Sequence, residues 1–473
     1  MSENRSSFSG RIGFVLAAAG SAVGLGNLWR FPYLAAQYGG GIFVLCYIIL
    51  ALTFGFALMT TEIAIGRKTG LSCIGAYKKL SSKFSFLGYI AWVVPIIILP
   101  YYSVIGGWVC KYVAVYLTGQ HNAAAEATFF KNFAMNPTSW VEPTGWFLLF
   151  LALTAAAVLL GVEKGVERVS KIMMPILIVL MVAISIFVLT LKHEVLDSNG
   201  NPTGEVRTAL QGLRYYLVPD LSGFTFKTAV KTVCAAMSQL FYSMSLAMGI
   251  MITYGSYTKK DTDLVKSVNQ IELFDTGVAL LAGLMIIPSM FAFKGAEGLA
   301  ANGPSLMFIS LPEVFAQMPL GRFVGLVFFV LVFFAAITSS ISLMETIVSM
   351  VMDRTRLGRT AACIIIFLVC LAVGIPSALG YGVWDGVRLL GLQFLDFFDF
   401  ISNSVIMPIV ALLTCILIGW IIGTKTITDE VCRNGEKFGR KALYEFMVKY
   451  LAPIFLVVIL VFSVLSAFKI IEV

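Results

Sequence analysis

Two stretches of this sequence put polar chemistry where plain hydrocarbon would be expected. Residues 20–32 read Gly-Ser-Ala-Val-Gly-Leu-Gly-Asn-Leu-Trp-Arg-Phe-Pro and lie inside a run long enough to cross a bilayer. Glycine is a poor helix former and tolerates unusual backbone angles. A helix that opens here frees N–H and C=O groups that no lipid can satisfy, so they must face a cavity and hold something polar. Residues 239–249 place Gln239, Tyr242, Ser243 and Ser245 in a second apolar run; the plain alternative is serines bonded back to their own helix. A half-helix N-terminus presents N–H groups to an anion, and a half-helix C-terminus presents carbonyls to a cation. Two such interruptions in matching positions of two halves point to a small zwitterion bound beside an alkali cation.

The elements that must hold these stretches are membrane spans. The 473 residues are 59% hydrophobic and 13% charged, with a mean hydropathy of +0.89, against about 45–50% and 25% for a soluble domain. Apolar runs fall at about 11–37, 41–66, 86–117, 144–161, 168–191, 227–255, 264–292, 319–352, 360–380, 390–423 and 446–470, which predicts eleven helices. Lys and Arg concentrate in the alternate segments that begin with the N-terminal arm, so the N-terminus is placed in the cytoplasm and Val473 outside. The net charge of +8 is therefore topology and not a nucleic-acid footprint. The eight cysteines avoid the long outer loops, and no disulfide framework is expected. The polar start lacks a signal-peptide pattern, so the first span should remain in the mature protein.

The predicted organisation is an arm (1–10), a first five-helix set (11–191), an outer loop (192–226), a second five-helix set (227–423), a cytoplasmic loop (424–445) and an eleventh span (446–473). His121 and His193 fall in outer loops and read as solvated. Residues 303–315, bounded by proline, read either as a lid over an outer vestibule or as a surface helix. No nucleophile–base pair or transition-metal cluster appears, which argues against an enzyme.

The motifs carry a resemblance that covers essentially the whole chain. Arg11-Ile12-Gly13, Gly24-Leu25-Gly26-Asn27-Leu28-Trp29-Arg30-Phe31-Pro32, Gly39-Gly40-Gly41 and Arg67 resemble the neurotransmitter:sodium symporters, above all their bacterial amino acid transporters. Tyr101-Tyr102, Gln239 to Tyr257, Ala335 to Ser340 and Asp396 to Asp399 continue the likeness. The resemblance implies an all-α membrane protein with the LeuT-type five-plus-five inverted repeat, helices 1 and 6 unwound at mid-membrane, and sodium-driven import by alternating access. The prototype has twelve helices and this chain eleven by its hydropathy. The implied partners are an amino acid, sodium and the lipid bilayer, with no organic cofactor, and the chain as a monomer or weak dimer in the plasma or inner membrane. A sodium-dependent sensor that binds without net transport is the alternative. A proton-driven relative would lack the second sodium site, whereas Thr338 and Ser339 are present.

The resemblance also implies site residues, and each fits the chemistry asked of it. Sodium takes hard oxygen ligands. For a first sodium these are the Ala22 carbonyl, the Asn27 amide and the Ser243 carbonyl and hydroxyl, with Asp275 as the helix 7 ligand. An acid deep in an apolar span is a functional residue by default. Near Tyr47, Gln239 and Ser243, Asp275 would replace the chloride of animal relatives and make transport chloride-independent. For a second sodium they are the carbonyls of Gly20, Val23 and Ala335 and the hydroxyls of Thr338 and Ser339, back-bonded hydroxyls being the alternative.

The Gly24-Leu25-Gly26 backbone and Tyr102 would hold a carboxylate, and carbonyls at both breaks an amino group. Glycine at 24, where monoamine transporters carry aspartate, favours a zwitterion. Ile98, Tyr242, Ser245, Met248, Ser339 and Leu343 would line an uncharged pocket for a hydrophobic side chain, branched or aromatic. Arg30 and Asp399 match the outer gate, under the aromatic lid of Tyr102 and Tyr242. Arg5 and Asp353 match the inner gate, near Tyr257, with Phe8 in place of the prototype's tryptophan. Glu62 is expected to brace the unwound part of helix 1.

Overall fold

The computed structural model describes residues 7–196, 201–222, 224–299 and 303–467. Among these residues, nine helices are long and apolar enough to cross a membrane: Gly41–Thr69, Ser82–Leu117, Val141–Leu159, Val162–Leu189, Leu264–Gly298, Gly321–Arg354, Arg359–Leu379, Phe394–Ile421 and Lys441–Leu465. A helix satisfies its own backbone, which is why hydrocarbon surroundings select it. The Gly321–Arg354 helix is central, with 72% of its most apolar window buried, and packs along Ser82–Leu117. Lys441–Leu465 is peripheral, with 22% buried.

Two further elements are interrupted. The helix Arg11–Ala22 stops at Val23, whose ψ of 95° is extended, and resumes as Gly26–Gln37 at an angle of 50°. The helix Phe226–Ser243 is separated from Ile250–Ser256 by residues 244–249. In that break Ser245 (φ 53°), Ala247 (φ 60°) and Gly249 (φ 77°) are left-handed. Side chains rarely tolerate such angles, and two non-glycine residues held there mark a strongly determined backbone.

Small residues and one buried ion pair hold the second broken helix in place. A Cβ on Gly66 would lie 1.9 Å from the Ile252 carbonyl oxygen, and one on Gly255 would lie 2.3 Å from that of Ile63. Only glycine lets the two backbones approach this closely. Arg67, fully buried, donates from Nε to Glu430 Oε1 at 2.8 Å and also to the Thr262 carbonyl, just past the broken helix.

At the loop-rich end, a two-stranded hairpin (Lys192–Leu196 with Pro202–Thr208) leads into the surface helix Ala209–Leu217. His193 lies against Phe293, their ring centroids 4.9 Å apart and their planes tilted by 40°, and His121 lies beside Tyr116. Within the segment between helices 7 and 8, Leu306–Gln317 forms a short apolar helix whose Met307, Phe308 and Val314 are buried.

Candidate functional site

The peptide groups freed at the two breaks are claimed by side chains from several helices. At the first break the Gly24 N–H donates to Asn27 Oδ1 (3.2 Å) and the Leu25 N–H to the Tyr102 hydroxyl (3.2 Å), while the Gly26 carbonyl accepts from Gln239 Nε2 (2.8 Å). At the second break the Ala247 N–H donates to Glu62 Oε1 (2.7 Å), and the Ser245 hydroxyl donates to the Ser21 carbonyl (3.0 Å). Glu62 thus braces the interruption in helix 6, not the one in helix 1 that the sequence suggested. The N–H of the left-handed Ala247 is met by this carboxylate, which reaches across from the Gly41–Thr69 helix.

Asn27, Tyr47, Ser243 and Asp275 converge and are all buried. Asn27 Nδ2 donates to Asp275 Oδ1 (2.8 Å) and to the Asp275 carbonyl (3.1 Å). Asp275 Oδ2 accepts from the hydroxyls of Tyr47 (3.2 Å) and Ser243 (3.3 Å), which are 2.7 Å from each other. Gln239 is nearby, but its amide nitrogen serves Gly26 and its Oε1 has no hydrogen-bond partner among the described residues. No Lys or Arg among the described residues pairs with Asp275. Its neighbour Glu272 has one, Arg440, at 2.7 Å. A fully buried carboxylate without a cationic side chain is costly, and a small monovalent cation among these oxygens would offset that cost.

A second oxygen cluster forms where the Gly321–Arg354 helix meets the first break. Ser339 Oγ lies 2.9 Å from the Ser21 carbonyl and 3.3 Å from those of Gly20 and Val23. One hydroxyl proton cannot serve three carbonyls, so lone pairs remain in surplus, the donor set a hard cation needs. Thr338 instead bonds back to the carbonyls of Phe334 (2.9 Å) and Ala335 (3.2 Å). Its side chain nevertheless faces the first break, since a Cβ on Gly20 would lie 3.4 Å from the Thr338 Cβ, so a rotation about one bond would bring its hydroxyl to the same cluster. The sequence reading missed Ser21, whose carbonyl is shared by Ser245 and Ser339. Its hydroxyl inside the glycine-rich stretch was the available signal.

Between the clusters lies a closely walled cavity, with about 20 Å³ of solvent-sized space. The Ala22 and Gly24–Gly26 backbone, Ile98, Tyr102, Tyr242, Ser245, Met248, Ser339 and Leu343 line it, and Ser21 and Ile250 complete it. A Cβ on Gly24 would lie 2.7 Å from Ser339 Oγ and 2.9 Å from the Tyr102 hydroxyl. Gly24→Ala should therefore weaken half-saturation of uptake roughly tenfold, the effect of a modest overpacking strain against Ser339 and Tyr102. Saturation curves in reconstituted vesicles check this; unaltered half-saturation would remove Gly24 from the binding surface.

Charged residues stand beyond both ends of the cavity. Arg30 and Asp399 border one cleft of about 150 Å³ with Tyr101 and Tyr242, and they form no direct ion pair. Arg30 donates to the Ser238 hydroxyl (3.0 Å) and its guanidinium lies 5.5 Å from the Tyr242 ring centroid. Asp399 accepts from Tyr101 (3.1 Å) and Asn403 (2.6 Å). At the other end Asp353 accepts the Ser72 N–H (2.9 Å), and Arg5 lies outside the described residues. Tyr257 donates to Glu345 (2.7 Å), which Arg359 also holds (2.6 Å). Phe8 closes this end by packing edge-on against Tyr254 and Tyr257.

The sequence matches the Sodium:neurotransmitter symporter family over residues 5–132 and 121–471. It is 35% identical to the sodium-dependent transporter YhdH of Bacillus subtilis over 96% of each chain. It is 25% identical to the sodium- and chloride-dependent taurine transporter of Canis lupus familiaris over 90% of this chain and 73% of that one. The crystal structure of MhsT in complex with L-phenylalanine superposes with a TM-score of 0.85 at 34% identity, covering 97% of this chain and all of MhsT.

Proposed function

Because the chain belongs to the sodium:neurotransmitter symporter family, we propose that it imports neutral, hydrophobic L-amino acids, branched or aromatic, by alternating access, driven by sodium and without chloride. The family relationship itself makes it a sodium-dependent, multi-pass membrane transporter and not an enzyme. The observation that carries the finer reading is Asp275, buried and bonded only by neutral donors. In this reading the first sodium sits among Asp275, Asn27, Ser243 and the Ala22 carbonyl, and the same carboxylate supplies the negative charge that chloride supplies elsewhere. The second sodium takes the carbonyls of Gly20, Val23 and Ala335 with Thr338 and Ser339; the carbonyls gathered on Ser339 support it.

The substrate carboxylate is received by the Gly24–Gly26 peptides and Tyr102, and its side chain by Ile98, Met248, Ile250 and Leu343. A charged side chain would lose its hydration there and gain no partner. The L-phenylalanine bound in MhsT supports this assignment. The cavity walls are close, so an amino acid enters only as Tyr242 and Met248 give way. Gating by Arg30 with Asp399 outside, and by Arg5 with Asp353 near Tyr257 inside, completes the cycle, with the N-terminus cytoplasmic and the C-terminus outside.

A panel of unlabelled amino acids competing with labelled phenylalanine for uptake into proteoliposomes, with and without a sodium gradient, tests the reading. Hydrophobic neutral amino acids should compete, and acidic and basic ones should not. Sodium-dependent binding with no accumulation would instead make the protein a sensor.

A further inference from the structure

A cleft of about 950 Å³ lies away from the broken-helix site. Its walls are the turn after the half-helix Gly26–Gln37, the first turns of Phe226–Ser243, the surface helix Ala209–Leu217 with the residues that follow it, and Phe291 of the Leu264–Gly298 helix. The surface helix is strapped down firmly. The Tyr215 hydroxyl donates to the Ala36 carbonyl, and Gly40 pairs with Pro219 in an antiparallel bridge. A Cβ on Gly41 would lie 2.5 Å from the Val218 carbonyl carbon, so the strap depends on glycine.

The chemistry of the cleft is cationic and apolar together. Arg214 and Lys231 both line it. The nearby basic residues Arg207 and Lys294 have carboxylate partners in Glu205 and Glu313. Arg214 and Lys231 have none among the described residues. Asp220 also faces the cleft, but its Oδ1 is engaged by the Ser222 N–H (2.9 Å) and hydroxyl (2.6 Å). Phe224 and Phe291 supply apolar wall. Leu217, Leu221 and Phe226, close in sequence to the lining residues Val218, Ser222 and Phe224, are 49%, 70% and 86% exposed. Large apolar side chains this exposed beside a basic cleft suit a partner that is itself part apolar and part anionic.

We propose that this cleft binds one anionic glycerophospholipid, its phosphate held by Arg214 and Lys231 and an acyl chain laid over Leu217, Leu221 and Phe226. Lys and Arg attract acidic headgroups electrostatically, and a free phosphate would leave the neighbouring apolar side chains bare. The bound lipid touches the outer half of the first broken helix at Gln37–Gly39 and the leading half of the second at Thr228–Thr232. It therefore favours whichever arrangement keeps these two halves together.

Native mass spectrometry of the full chain, with phosphatidylglycerol titrated against phosphatidylcholine, tests the proposal. One phosphatidylglycerol should be retained preferentially. Arg214→Gln and Lys231→Gln should each weaken retention roughly fivefold, the usual contribution of one basic residue near an acidic lipid. Arg214→Lys should retain it, which separates lost charge from lost folding. Equal retention of the two lipids, or retention indifferent to both glutamine variants, would overturn the proposal. Inorganic phosphate in a parallel arm should neither bind measurably nor displace the lipid. Displacement would make the cleft a site for soluble anions and overturn the lipid assignment.

Discussion

Asp275→Asn should reduce sodium-driven uptake in chloride-free medium by roughly a hundredfold, the scale of removing one member of a buried charge pair. Asparagine keeps the size and can still bond Asn27, Tyr47 and Ser243, so the loss isolates the charge. Those three side chains surround the carboxylate at 2.8–3.3 Å. If the carboxylate stands in for an anion, chloride should partly restore uptake in the variant and leave the native protein unaffected. Uptake in sodium chloride against sodium gluconate reads this directly. A variant matching the native protein in both salts would take Asp275 out of the ion chemistry.

Asn27→Ala should weaken sodium-dependent substrate binding by about 10- to 100-fold, the range for leaving buried polar groups without partners. Asn27 holds both sides of the site together. Its Oδ1 accepts the Gly24 N–H at the break (3.2 Å), and its Nδ2 serves Asp275 (2.8 Å). Alanine would free an N–H in the cradle and a carboxylate oxygen in the ion cluster at once. Equilibrium binding of labelled substrate over a sodium titration gives the measurement. Unchanged sodium dependence would place the first ion elsewhere.

The spans were legible because hydropathy and length are read directly from composition. The first break was legible too, since glycines at 24 and 26 beside Asn27 are out of place in a spanning helix. Asp275 stood out as an acid in an apolar run, and the structure puts it against Asn27. The second break was less plain in sequence. Its left-handed residues include Ser245 and Ala247, and neither residue type announces such a backbone. What fixes them comes from far along the chain: Glu62 on the Ala247 N–H and Ser21 beneath Ser245. Long-range partners of this kind leave no local pattern. For the same reason nothing in the local sequence shows that Glu62 meets the second break and not the first.

The left-handed Ala247 has a mechanical consequence. Glycine there would cost less in the observed shape but would also allow many others, making the interruption a slack joint. Alanine narrows the choice, and the Glu62 carboxylate selects one orientation within it. The second broken helix is in this sense a preset elbow: because the crook keeps its angle, a push on one arm is passed to the other.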